Sequence, residues 1–104
     1  MKTLNLNIDY QRPQGSIDLI SNSALTCDYL DNVIVTKYPE LQGQKLRAFA
    51  RIQRKLDAAL EGKLETIDFE DGDSDLIKEA FKDLRFNARL AKYVVYLMDE
   101  IDKL

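Results

Sequence analysis

At 104 residues the chain has room for one domain, and 45% hydrophobic with 32% charged residues is the balance of a folded globular chain, not a disordered one. The formal net charge is −3 and histidine is absent, which argues against a dedicated nucleic-acid binder and removes the commonest general base and metal ligand. The one cysteine, Cys27, precludes an internal disulfide and suits a reducing compartment; Met1–Tyr10 has no signal-peptide apolar run and no stretch approaches the ~20 apolar residues of a membrane span, so the cytoplasm is the expected location.

Thr3–Tyr10 alternates, with Leu4, Leu6, Ile8 and Tyr10 on one side and Asn5, Asn7 and Asp9 on the other, the period-2 pattern of a half-buried strand. Pro13 and Gly15 are turn residues, and Ser16–Ile20 is expected as a second strand pairing back on the first. Asn22 or Ser23 can cap a first helix running to about Lys37, with Ala24, Cys27, Leu30, Val33 and Ile34 inward and Pro39 as the stop. A second helix is predicted from about Gln44 to Glu61. Its inward face is read as Leu46, Phe49, Gln53, Leu56 and Leu60, with Ile52 at the edge, and Gly62 stands where a glycine ends a helix. Leu64–Phe69 reads as a third strand. The acidic turn Glu70–Asp75 follows, then a helix over about Asp75–Leu84 capped by Asp73 or Ser74.

Phe86–Leu104 is the segment expected to organise the core. Asn87 can cap it, and Leu90, Tyr93, Val94, Leu97, Ile101 and Leu104 form a helical stripe that Ala91, Val95 and Met98 widen on one side and Tyr96 on the other. Such an arc exceeds what a surface helix buries, so this helix is expected to be central or to lie in an interface. A break at Arg85–Asn87 separates it from the preceding helix, unless the two run on as one. The order β-β-α-α-β-α-α predicts an α+β fold in which residues 1–104 form a single domain, a short antiparallel sheet of two or three strands packed against about four helices.

Four features could carry function. Arg47, Arg51, Arg54 and Lys55 make a basic stripe on the second helix, where Leu41–Lys63 holds six cations and two acids. A solvated face, or one that meets the chain's own acids, is the simpler expectation. Seven acids crowd Leu64–Glu79, with Asp68, Glu70, Asp71, Asp73 and Asp75 as the acidic surface. The spacing Asp71-x-Asp73-x-Asp75 begins like a calcium loop, but Leu76 and Lys82 stand where that loop needs glycine and glutamate, so no metal is expected. Neither catalytic residues nor a cofactor is expected: Cys27 has no imidazole partner, the four glycines are scattered, and Asp68 with Glu70 is a distant candidate for Mg²⁺-dependent hydrolysis. Tyr93, Val95, Tyr96 and Met98 on the terminal helix form the candidate interface.

In size and composition the chain resembles the small, charge-rich accessory proteins of phages and mobile elements, a likeness that rests on no motif and assigns no residue a role. The expected function is a non-enzymatic interaction or assembly protein, homodimeric through the terminal helix or bound to another protein. The alternative is a nucleic-acid-associated regulator that lays the basic face of residues 44–61 along a phosphate backbone.

Overall fold

The computed structural model describes residues 1–12, 20–82 and 86–104. The elements are β1 (Lys2–Asn5), α1 (Asn22–Lys37), α2 (Gly43–Gly62), β2 (Thr66–Phe69), α3 (Asp71–Phe81), a 3-10 turn (Ala88–Leu90) and α4 (Ala91–Asp102). The fold is α+β, with four helices and one two-stranded antiparallel sheet among the described residues. The expected strand at Ser16–Ile20 lies outside them except for Ile20, which is in neither helix nor strand.

β1 pairs with β2 in a register that sets Lys2 opposite Phe69 and Leu4 opposite Ile67. The alternation of Thr3–Tyr10 holds in burial, since Leu4, Leu6, Ile8 and Tyr10 are all buried. The ladder nevertheless stops early. After Leu6 donates to the Glu65 carbonyl at 2.8 Å, Ile8 N–H turns back onto Leu6 and Asn7 N–H onto the Asn5 side chain. Side-chain burial therefore runs to Tyr10, four residues past the last cross-strand bond at Leu6.

α1 is capped by Ser21, whose hydroxyl accepts from Ala24 N–H at 3.2 Å, and not by the expected Asn22 or Ser23. It buries Thr26, Cys27, Tyr29, Leu30, Val33 and Ile34, whereas Ala24 is only half-buried. Lys37, in its last turn, donates to the Lys82 carbonyl at 2.7 Å and to that of Glu79, which also accepts from Lys82 N–H, at 3.4 Å, tying α1 to the end of α3.

α2 differs from expectation in rotation, not in extent. Its buried residues are Ala48, Phe49, Ile52, Leu56 and Ala59, while Leu46 and Leu60 remain 51% and 41% exposed. At 100° per residue the core face is turned by roughly 70° from the leucine-rich face the sequence suggested. Ala48 and Ala59 take inward positions in place of Leu46 and Leu60. The helix closes on Lys63 in the left-handed conformation, one residue past Gly62.

α3 starts at Asp71, four residues earlier than expected, with Glu70 as the cap residue. The presumed acidic turn is therefore the helix's own first turn, where Asp71 and Asp73 meet the positive end of the dipole. α3 ends where Lys82 adopts extended backbone, and α4 is a separate helix. Asn87 caps the 3-10 turn by accepting from Arg89 N–H at 2.9 Å, so α4 begins later than the sequence implied.

The core is one cluster, but α4 is not its centre. α1 packs on α2 and α3, and α2 on β2; α4 lies at the side, against α3 and β1, burying Val94, Leu97, Ile101 and, just beyond its end, Leu104.

Candidate functional site

The rotation of α2 divides the basic stripe. Arg51 and Lys55 come to the flank facing α3 and β2, while Arg47 and Arg54 point away from the core. Arg51 donates from Nη2 to Asp73 Oδ1 at 2.9 Å and from Nε to Oδ2 at 3.4 Å. The Asp73 side chain is 4% exposed and that of Arg51 56%. This hydrogen bond, and then the charge of the same carboxylate, raise the Arg51 pKa further above its already high value. Lys55 donates to the Asp68 carbonyl at 2.8 Å with its ammonium 5.7 Å from the Phe69 ring centre. Arg47 and Arg54 have no hydrogen bond or ion pair among the described residues.

The acidic residues are likewise dispersed. Asp68 accepts from Thr3 Oγ1 across the sheet at 2.6 Å, Asp71 lies 3.5 Å from the Met1 amino group, and Glu70 and Asp75 are exposed. Among the described residues no three carboxylates or thiols gather to hold a metal ion. Cys27 is buried, and burial followed by the charges of Asp28 and Asp57 pushes its thiol up to about 11, the opposite of an activated nucleophile.

α4 presents two unlike flanks. Tyr93 and Tyr96 are half-buried and packed on the core. Val95 and Met98, side by side at i, i+3, are 46% and 37% exposed, with exposed Ala91 one turn before Val95. The four interface residues thus fall on opposite sides of the helix, and only the Val95–Met98 side is open.

Two further features went unread in the sequence. A cleft of about 770 Å³ separates the N-terminal parts of α2 and α3, lined among others by Lys45, Arg47, Arg51 and Asp73. Lys45, 3.8 Å from Glu79, also lies 5.4 Å from the Tyr38 ring centre. Ile20 and Leu60, both partly exposed, line a groove of about 560 Å³ near the start of α1 and the end of α2. The register of α2 against α3 creates the first and its rotation leaves Leu60 open for the second, and neither is encoded in any local pattern.

No protein-family model, curated protein or solved structure matches the chain. No helix among the described residues is long and apolar enough to cross a membrane.

Proposed function

We propose that this protein is a non-enzymatic interaction protein that pairs with a second copy of itself through the outer flank of α4. The observation that supports this reading is the open pair Val95 and Met98, on a helix that buries Val94, Leu97 and Ile101 in the core on the neighbouring face. Apolar side chains at the centre of a self-complementary contact across a two-fold axis meet their own counterparts, so one exposed pair supplies both sides of the seam. Methionine suits such a contact, being adaptable and enriched at interfaces. The pair is far smaller than the ~800 Å² per partner of a standard interface, so its polar surroundings must share the contact and the dimer is expected to be weak and concentration-dependent. A cytoplasmic setting accords with the one buried, free cysteine.

Light scattering coupled to size-exclusion chromatography tests this across a concentration series. The mass should rise toward twice the 12.0 kDa chain, and Val95→Glu should hold it at the monomer value with an unchanged circular-dichroism spectrum. A wild-type monomer at millimolar concentration would refute self-pairing.

The nucleic-acid reading keeps less support. Of its four cations, Arg51 and Lys55 are engaged within the chain, which leaves Arg47 and Arg54 to contact phosphates.

A further inference from the structure

We propose that the cleft between α2 and α3 binds the phosphate group of a small molecule. The site is independent of the α4 flank and shares no residue with it. Its volume of about 770 Å³ falls within the range of ligand pockets. Arg51 supplies an oriented donor: Nε and Nη2 are held by a carboxylate that is itself almost wholly buried, while Nη1 makes no bond among the described residues. A guanidinium fixed in this way loses little rotamer freedom when a ligand arrives. Arg47, one turn earlier on the same wall, is uncommitted. Lys45 has one ion pair among the described residues, to Glu79 at 3.8 Å with both side chains about half exposed, and its ammonium lies 5.4 Å from the Tyr38 ring centre, so exchanging the ion pair for a ligand oxygen costs little.

The backbone of the cleft is bare. Gly43 has φ +61°, and a Cβ on either Gly43 or Gly72 would meet nothing within 4 Å. Packing within the chain therefore does not require glycine at 72, and its lack of a side chain leaves room for close approach from the cleft. A phosphate fits better than a lone carboxylate, because Asp73 already occupies the bidentate edge of Arg51 and the remaining donors surround a volume instead of a plane. A small molecule fits better than a strand: Lys55, which would extend the path along α2, is bonded to Asp68, and no aromatic ring lines the cleft for bases to stack on.

The test is a titration of the full chain with inorganic phosphate and with pyrophosphate at low ionic strength, followed by amide chemical shifts. Saturable shifts are expected at residues 43–47 and 72–73. Arg47→Ala, which removes no internal contact, should weaken binding about tenfold, the effect of losing one charge-assisted bond. Arg54→Ala, outside the cleft, should leave it unchanged. Absence of saturable shifts at millimolar phosphate would overturn the proposal. So would equal losses in the two variants, which would mean diffuse attraction to the stripe. Displacement of phosphate by single-stranded DNA that needs both arginines would overturn it too, in favour of a strand binder.

Discussion

Thr26 carries more of this fold than its place in the sequence suggests. It is fully buried, and its hydroxyl lies 2.6 Å from the Leu6 carbonyl, 2.9 Å from that of Asn22 and 2.6 Å from the Tyr10 hydroxyl. One hydroxyl has one proton, and the two carbonyls compete for it, so Tyr10 must donate to Thr26. The bond ties the end of the buried run Leu4–Tyr10 to the first turns of α1. Thr26→Val keeps the shape but leaves the Tyr10 O–H unpaired and the Leu6 carbonyl with only the Ile8 N–H, and should cost about 1–3 kcal/mol in urea unfolding. Thr26→Ser, which keeps the hydroxyl, should lose clearly less. Equal losses would mean that the methyl group matters and the bonds do not. Nothing in the letters around Thr26 marks it, because its partners lie 16 and 20 residues away. By contrast, the burial of Leu4, Leu6, Ile8 and Tyr10 was legible, since strict alternation needs only the local chain.

Helices were legible as elements and less so as oriented bodies. Pro39, Gly62 and the apolar periodicities located α1 and α2 to within a residue or two, whereas the start of α3 was missed because its acids read equally well as a turn or as a first helical turn. The buried face of α2 departs from its apolar pattern for a definite reason. Hydrophobicity ranks leucine above alanine, but packing depends on which side chains fit against the neighbouring elements, and Ala48 and Ala59 hold inner positions. The basic stripe was legible as a set of letters, yet the rotation decides that Arg51 meets an internal acid and that Arg47 and Arg54 do not. This leads to an opposed pair of outcomes. Leu46→Gln, on the exposed flank, should change stability by no more than about 0.5 kcal/mol, whereas Ala59→Leu should destabilise by roughly 1–3 kcal/mol through overpacking. The reverse order in denaturant midpoints would restore the leucine-rich face as the core.

The molecule as a whole has a sensitivity to alkali built into one cluster. Cys27 and Tyr10 belong to the same core, and Tyr10 meets Tyr29 of α1 edge-to-face with ring centres 5.6 Å apart. Burial raises Tyr10 from 10.0 to about 12, against the opposing effect of its bond to Thr26, and Cys27 is raised from 9.0 to about 11. Both groups are neutral when protonated, and both hold the proton more tightly folded than unfolded. Well below pH 9.0 both states are protonated at these groups and the stability is intact. From 9.0 to about 11 the unfolded thiol ionises before the folded one, so the unfolded state binds fewer protons and stability falls as pH rises. Tyr10 adds a second loss from 10.0 to about 12. Two units on one group amount to roughly 2–3 kcal/mol at most, a large share of the stability of a domain this size. Urea midpoints across the alkaline range should therefore begin to fall near pH 9.0 in the wild type, and only near 10.0 in Cys27→Ala. Identical pH profiles for the two would mean that the thiol titrates alike folded and unfolded, and that α1 does not bury it as the structure has it.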